Sequence, residues 1–183
     1  MKKWIPLIAL TALILAAYAF INKPPSALLS SFEGSEEMHW YSWEDAIEAQ
    51  KKEPKKLLVD VYTDWCGWCK RMDKNTFSNP KVQAYIEEHF YPVKFNAEQK
   101  EDIHFQGETL KWVPNGRRGY HELAAALLDG RLSFPSLVYL NEKQERITIS
   151  PGYKDVNQLM KEMKYIAEEH YQDTPWEEFQ GKK

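Results

Sequence analysis

Two cysteines carry the chemistry that this sequence indicates most directly. Cys66 and Cys69 are the only cysteines in the chain, and Gly67 and Trp68 separate them. If a helix begins at Cys66, its thiol lies where unpaired backbone N–H groups and the helix dipole stabilise an anion. That placement lowers the thiol pKa and makes Cys66 the nucleophile, while Cys69 lies one turn further along as the resolving thiol. The pair therefore predicts thiol–disulfide exchange.

Three other uses of a cysteine pair fit the sequence less well. A c-type haem needs a histidine directly after the second cysteine, where this chain has Lys70. A structural zinc ion needs four ligands, and the five histidines are scattered with no second close-set pair. An inert disulfide at this spacing closes too short a loop to stabilise the fold much. We therefore expect no metal and no cofactor.

The residues around the cysteines match a wider pattern. An apolar run with β-branched residues, 57–62, predicts a buried strand before the cysteines. This strand carries Asp60, while Trp65 and Lys70 flank the cysteine pair. An apolar strand with a buried Asp followed by Trp-Cys-x-x-Cys-Lys resembles the thioredoxin superfamily, in particular its exported bacterial members. The resemblance covers about residues 38–170.

The resemblance implies two further parts of the site. Lys94 should lie on the next parallel strand and pair with the buried Asp60. A cis peptide bond should join Phe134 to Pro135, at the start of a strand that faces the disulfide. The backbone of Phe134 would then be available to pair with an extended segment of the substrate.

Asp60 and Lys94 together predict a proton-accepting group. The side chain of Asp60 should point toward the helix of the cysteines, where its carboxylate loses contact with water. Burial should raise the pKa of Asp60 unless Lys94 compensates. A carboxyl group that titrates near neutral pH can take the proton from Cys69 as that thiol attacks a mixed disulfide. The alternative is a buried ion pair with a purely structural role.

The resemblance implies an α/β, thioredoxin-like fold: a central mixed sheet flanked by helices, with an inserted hairpin before the helix that precedes Pro135. The insert covers about residues 98–119, with a hairpin in 103–113 and a loop in 114–119. Because parallel strands finish on the same edge of a sheet, the insert should leave on the active-site side. It either shapes substrate access or only covers the edge of the sheet.

Local signals predict several of the helices around this sheet. Ser42, Asn79 and Asp155 have side chains that cap helix N-termini, and Pro80 suits a first helical position. The run 120–128 predicts a further helix, which ends at an Asp-Gly pair.

The N-terminus predicts export. Lys2 and Lys3 precede an uncharged apolar run, 4–21, in which Ala17-Tyr18-Ala19 fits the small-x-small pattern of signal peptidase sites. The run is either a signal peptide or a membrane anchor, and in both cases the domain lies outside the cytoplasm, in the periplasm or held at the membrane. The chain thus divides into a signal peptide or anchor (1–21), a linker (22–37), the thioredoxin-like domain (38–170) and a C-terminal tail (171–183).

We interpret the chain as an extracytoplasmic thiol–disulfide oxidoreductase, and more narrowly as a protein disulfide reductase supplied with electrons by a membrane donor protein. Its partners would be protein disulfides and, if the N-terminal segment is retained, the membrane. The net charge of −3, without a block of basic residues, gives no indication of nucleic-acid binding. The residues expected to contact the substrate are Trp65, Gly67, Trp68, Phe134 and Pro135.

The direction of electron flow is the least constrained part of this interpretation. No charged residue lies between the cysteines, and Asp64, two residues before Cys66, would disfavour its thiolate. The pKa of Cys66 should then be roughly 7, with a reduction potential at or below about −200 mV. Two alternatives stay open: a disulfide oxidase or isomerase, and a thioredoxin-fold binding module that holds a partner or a metal through its cysteines without turnover.

Overall fold

The computed structural model describes residues 38–181. Within them, eight strands follow in chain order: β1 (Lys56–Tyr62), β2 (Phe90–Asn96), β3 (Ile103–Phe105), β4 (Glu108–Leu110), β5 (Trp112–Asn115), β6 (Arg118–His121), β7 (Ser136–Leu140) and β8 (Arg146–Pro151). Four of them form the central sheet in the order β2-β1-β7-β8, with β1 and β2 parallel and the other pairs antiparallel. The predicted mixed sheet is confirmed.

The helices of the described region are α1 (Trp43–Lys52), α2 (Gly67–Met72), α3 (Pro80–His89), α4 (Glu122–Leu127), α5 (Val156–Ala167) and α6 (Trp176–Gly181), with a 3-10 turn at His170–Gln172. The three predicted caps are present. Ser42 accepts the N–H of Asp45 at 3.1 Å, and Asn79 accepts the N–H of Lys81 at 3.0 Å. Asp155 and Gln158 form a reciprocal capping box at α5.

The central strand β1 is buried on both faces, as its apolar run predicts. Leu57, Val59 and Val61 pack with side chains of α1, β2 and α4 on one face. Leu58 points to the other face, where side chains of α2, α3, β7 and α5 surround it. Asp60 shares the Leu58 face, because alternate residues of a strand point the same way.

Past its last residue, α2 continues into a wider π-helical turn, Asp73–Phe77. Met72 and Phe77, five residues apart, both lie in the buried cluster that contains α5. The hydroxyl of Thr76 donates to the backbone carbonyl of Lys154 at 2.7 Å, which ties this turn to the chain before α5. The segment that follows the cysteines is therefore fixed by tertiary contacts.

The insert contains two hairpins, not the single one that the sequence predicts. β3 and β4 pair as expected, but residues 112–121 form a second hairpin, β5–β6. The end of the first hairpin, a loop and the start of a helix were expected there. Gly116 has φ +60°, which permits a two-residue turn. Gly119 lies against the indole of Trp112, and a Cβ there would stand 2.1 Å from the ring. Pro114 disfavours a strand because it lacks an N–H, but an isolated hairpin tolerates it on an outer edge.

Because β6 extends to His121, α4 begins two residues later than predicted. His121 is fully buried. Its Nδ1 accepts the N–H of Leu123 at 3.1 Å, and its Nε2–H donates to the carbonyl of Glu101 at 3.0 Å. This side chain caps α4 and links it to the loop before β3.

The two ends of the described region pack on the domain. At the start, Tyr41 forms one parallel bridge with Val93 of β2. At the end, the rings of Trp176 and Phe179 lie 5.1 and 5.0 Å from the ring of Tyr165 on α5. None of the helices between residues 38 and 181 has the length and apolar character needed to cross a membrane. The predicted signal peptide or anchor (1–21) and linker (22–37) lie outside the described residues.

Candidate active site

Cys66 is the N-cap residue of α2, as the sequence predicts, and it forms a disulfide with Cys69. The backbone N–H of Cys69 donates to the Sγ of Cys66 at 3.1 Å, so the sulfur lies on the unpaired N–H groups of the helix start. Cys66 is 5% exposed and Cys69 is 2% exposed. The two cysteines therefore differ little in exposure in the oxidised protein.

Two tryptophans form an apolar rim around this disulfide. Trp65 is 52% exposed and Trp68 is 55% exposed, and they are the two exposed large hydrophobic side chains between residues 38 and 181. Exposed aromatic rings of this size are typical of surfaces that bind a partner. Gly67 lies between them in the sequence, and a Cβ there would meet no atom of residues 38–181 within 4 Å. The backbone at Gly67, next to Cys66, is therefore not covered by a neighbouring side chain of the described region.

Each ring of the rim is held by neighbouring side chains. Trp65 donates its Nε1–H to Glu98 at 3.0 Å, lies 4.3 Å from the guanidinium of Arg118, and meets the ring of Phe134 edge to face at 6.0 Å. Trp68 lies 5.6 Å from the ring of Tyr153 and 5.1 Å from the guanidinium of Arg71. Sequence reasoning missed Glu98 and Arg118, because contacts between distant segments leave no spacing signal.

The peptide bond between Phe134 and Pro135 is cis, as the resemblance implies. The carbonyl of Pro135 accepts the N–H of Gly152 at 2.8 Å, and the ladder with β8 starts one residue later, at Ser136. Within residues 38–181, no group hydrogen bonds to the backbone N–H or carbonyl of Phe134. The backbone that was expected to pair with a substrate therefore has no partner inside the domain.

Asp60 and Lys94 face each other in the register of β1 and β2. Asp60 is 1% exposed, and its Oδ2 accepts from the ammonium of Lys94 at 2.6 Å. Its Oδ1 is buried and has no hydrogen-bond partner among residues 38–181. Burial raises the pKa of Asp60, and the charge of Lys94 opposes this shift without cancelling it. A buried carboxyl group with one vacant oxygen is suited to accept a proton.

Asp73 is a third member of this group, and sequence reasoning missed it. Its carboxylate contacts the same ammonium of Lys94, and its negative charge adds to the increase in the pKa of Asp60. Asp73 lies four residues after Cys69, one helical turn along, so a search of helical spacing could have found it. Through Asp73, the Asp60–Lys94 pair is joined to the segment that carries the cysteines.

Three aromatic rings surround the ammonium of Lys94. The centroids of Trp40, Tyr62 and Phe77 lie 4.9, 5.0 and 5.4 Å from its Nζ. Burial lowers the pKa of Lys94, but the carboxylates of Asp60 and Asp73 outweigh it, and the net pKa is raised. A cavity of about 290 Å³ lies beside these groups. Lys94 is therefore held as a cation in contact with Asp60.

The described residues show no group of three or more His, Cys, Asp or Glu side chains arranged to hold a metal ion. The chemistry that the arrangement can support resides in the two cysteines and the buried carboxyl group. Thiol–disulfide exchange needs these two components: a nucleophilic sulfur with a resolving partner, and an acceptor for the resolving thiol's proton.

Comparisons with known proteins agree with the fold and the cysteine pair. Residues 43–167 match the family model of the thioredoxin-like domain. Spermatogenesis-associated protein 20 of Homo sapiens is 31% identical over 65 residues, which are 35% of this chain and 8% of that protein. Thiol:disulfide interchange protein DsbD of Pectobacterium atrosepticum is 43% identical over 42 residues, 23% of this chain and 7% of that protein. These matches thus span less than a tenth of the relatives' length.

A solved structure of DsbH oxidoreductase has a TM-score of 0.52 to this chain at 16% identity, and the match covers 72% of this chain and 85% of that one. At this identity the similarity shows the fold alone. The predicted thioredoxin-like fold is confirmed by this structure and by the family model. The chain has the fold and the cysteine pair of the thiol–disulfide oxidoreductases.

Proposed function

Because the chain belongs to the thioredoxin-like domain family, we propose that it is a thiol–disulfide oxidoreductase, and specifically a protein disulfide reductase that acts outside the cytoplasm. The observation that carries this proposal is the cysteine pair at the start of α2, which occurs together with a buried carboxyl group whose Oδ1 has no partner in the described part of the chain. Neither feature alone would distinguish an enzyme from a binding module.

The reaction starts from the dithiol form of the protein. The thiolate of Cys66 attacks one sulfur of a substrate disulfide; the substrate S–S bond breaks, and its other sulfur leaves as a thiolate that takes a proton from water. Cys69 then loses its proton and attacks the Sγ of Cys66, which releases the second substrate thiolate and leaves the Cys66–Cys69 disulfide. Two electrons pass to the substrate, and a dithiol donor must return two electrons to the protein.

Asp60 is the proposed acceptor of the proton from Cys69. Its pKa is raised by burial, so it gains a proton more readily than an exposed carboxylate does at the same pH. The ammonium of Lys94, 2.6 Å from Oδ2, favours the ionised form of Asp60 and opposes the increase in its pKa that burial causes. The pair can therefore switch between the two protonation states that the resolving step requires.

The proposed substrates are extended or unfolded polypeptides that contain a disulfide. Trp65 and Trp68 offer exposed apolar surface on both sides of Cys66. The unpartnered backbone of Phe134 supports pairing with a substrate strand next to Pro135. Large apolar side chains beside the substrate cysteine would be bound best, since they remove the most ring surface from water.

The proposed direction is reduction of the substrate. Gly67 and Trp68 place no charge between the cysteines, and the first turn of α2 has no charged residue to stabilise the Cys66 thiolate strongly. We therefore expect a reduction potential at or below about −200 mV, on the side of the reductases. The proposed electron donor is a membrane protein that passes electrons by dithiol exchange, and the similarity to a thiol:disulfide interchange protein supports the exchange chemistry. The N-terminal lysines and apolar run support export.

The test is reduction of insulin by the full chain with dithiothreitol as electron source. We expect turnover by the wild-type protein, none by Cys66→Ser, and accumulation of a mixed disulfide with Cys69→Ser, because that variant cannot resolve the intermediate. The absence of turnover together with one bound metal per chain would replace the enzyme with a binding module. Equilibration with glutathione buffers tests the direction, and a value of about −120 mV would identify an oxidase.

A further inference from the structure

Trp65 lies where the insert meets the redox site. Its Nε1–H bonds to Glu98 Oε1 at 3.0 Å, and the guanidinium carbon of Arg118 lies 4.3 Å from the ring centroid. The ring of Phe134 approaches it edge to face at 6.0 Å. Nη1 of Arg118 lies 3.8 Å from Oε1 of Glu98, which closes the network. Three segments that are distant in sequence therefore hold one exposed ring directly beside Cys66.

Each of these contacts restricts a different motion of the indole. The hydrogen bond to Glu98 fixes the direction of the N–H, and the guanidinium of Arg118 covers one face of the ring. Phe134 limits movement toward the start of β7. The remaining surface of Trp65 stays exposed to solvent and faces a partner in a single orientation. An exposed tryptophan without such contacts would exchange between rotamers and lose entropy on binding.

The second tryptophan of the rim is held in another way. Trp68 meets Arg71, three residues further along its own helix, and Tyr153. Among the described residues its indole N–H has no acceptor. The two rings have similar exposed fractions. They differ because residues of the insert constrain Trp65, whereas Trp68 lacks this constraint.

We propose that Arg118 and Glu98 are positioning residues for Trp65, through which the insert sets the affinity for extended polypeptide substrates. This inference rests on the proposed reductase function. The two residues act on the wall of the binding surface and do not touch the sulfur atoms. Substrates that are large enough to contact the Trp65 ring depend on them, and small disulfides do not.

Arg117 provides a matched control for Arg118. It is the neighbouring residue in the same hairpin turn, it is exposed, and it has the same charge. Within residues 38–181 it forms no ion pair and no ring contact. Replacement of Arg117 therefore changes the net charge beside the site as Arg118→Met does, without removing a contact to Trp65.

The experiment compares Arg118→Met, Arg118→Lys and Arg117→Met in the full chain, with insulin and with oxidised glutathione as substrates. For Arg118→Met we expect KM for insulin to rise about three- to five-fold with kcat unchanged, the loss that one exposed cation–π contact predicts. Turnover of oxidised glutathione should stay at the wild-type value. Arg118→Lys should recover part of the insulin KM, and Arg117→Met should match the wild type with both substrates.

A double-mutant cycle tests whether Arg118 acts through Trp65. In a Trp65→Ala background, Arg118→Met should change the insulin KM no further. Additive effects of Trp65→Ala and Arg118→Met on the insulin KM would overturn the inference. An equal loss of activity of Arg118→Met with insulin and with oxidised glutathione would also overturn it, as would equal effects of Arg117→Met and Arg118→Met on the insulin KM. If Arg118→Met lowers the melting temperature, the comparison is repeated with Glu98→Ala. An unchanged KM for insulin in Glu98→Ala would overturn the proposal. If the wild-type protein itself reduced neither insulin nor oxidised glutathione, the proposed reductase function would be rejected instead.

Discussion

Two lysines of the sheet, the buried Lys56 and the half-buried Lys94, have the same kind of partners and different surroundings. Lys56, the first residue of β1, donates to Glu142 at 3.0 Å and to Glu169 at 2.9 Å. Lys94 on β2 likewise contacts two carboxylates, those of Asp60 and Asp73. Each cation is therefore shared by two anions, and charge counting alone would treat the two groups alike.

The difference lies in the burial of the carboxylates. The side chains of Glu142 and Glu169 are 39% and 51% exposed, whereas that of Asp60 is 1% exposed. Burial raises the pKa of Glu142, but hydrogen bonds from the backbone and from Lys56 outweigh it, and the net pKa is lowered. At Asp60, burial prevails and the pKa is raised. The same ion-pair arrangement thus lowers the pKa of a partly exposed carboxyl group in one place and fails to prevent an increase at a buried one in the other.

The largest expected effect is kinetic. Asp60→Asn should slow resolution of the mixed disulfide between Cys66 and a substrate by about 100-fold near pH 7, because a positioned base contributes at least this factor. Glu142→Gln should leave the rate unchanged. Stopped-flow measurement of substrate thiol release gives both rates. Equal rates for wild type and Asp60→Asn would make the two lysine groups equivalent.

The next effect concerns stability at alkaline pH. Lys94→Met should lower the free energy of unfolding by about 3 kcal/mol at pH 8, since it leaves a buried carboxylate without its cation. Asp60 has a raised pKa in the folded state, so its protonated form is favoured there as pH falls. The loss should therefore shrink toward pH 5. Urea unfolding at both pH values measures it, and a loss independent of pH would contradict the assignment.

A smaller effect is expected at the other lysine. Lys56→Met should cost about 1 kcal/mol at pH 7, because the two glutamates that lose the cation are partly exposed to water. The pKa of Glu142 is lowered in the folded state. The stabilisation by its ion pair with Lys56 is therefore fully present above pH 4.5, the ordinary pKa of Glu142, and is lost as the pH falls through the lowered pKa. The decrease in the free energy of unfolding of Lys56→Met should thus persist at pH 5, whereas that of Lys94→Met should shrink.

The smallest effect is a shift of a pH profile. The negative charge of Asp73 raises the pKa of Asp60, so Asp73→Asn should move the midpoint of the resolution rate to lower pH. Glu169→Gln should leave the midpoint in place. The measurement is the rate of mixed-disulfide resolution across a series of buffers. Movement of the midpoint to higher pH in Asp73→Asn would mean that Asp73 acts on another group.

The parts of the molecule that the sequence predicts depend on local signals. The apolar run of β1 and the caps at Ser42, Asn79 and Asp155 each need only a few neighbouring residues, and all of them are present. The pairing of Asp60 with Lys94 follows from the register of two parallel strands. It could be anticipated because the resemblance implies which strands are adjacent.

The parts that the sequence does not predict depend on contacts between distant segments. The second hairpin forms where Gly119 leaves room for the ring of Trp112, a fit that appears in no local pattern. The contact of Arg118 with Trp65 joins residues that are more than fifty positions apart. In the sequence, such side chains have the pattern of ordinary surface residues, because only the fold brings them together. The position of the insert could therefore be predicted, but its role could not.

The segment before α1 is joined to the sheet at the strand that carries Lys94. The N–H of Tyr41 donates to the carbonyl of Pro92 at 2.8 Å, its carbonyl accepts the N–H of Lys94 at 3.4 Å, and the neighbouring Trp40 covers the ammonium. These contacts attach the backbone before α1 to the strand of Lys94 and place an indole against its ammonium. Displacement of the backbone at Tyr41 would therefore move both groups, so the segment before α1 helps to hold the cation beside Asp60.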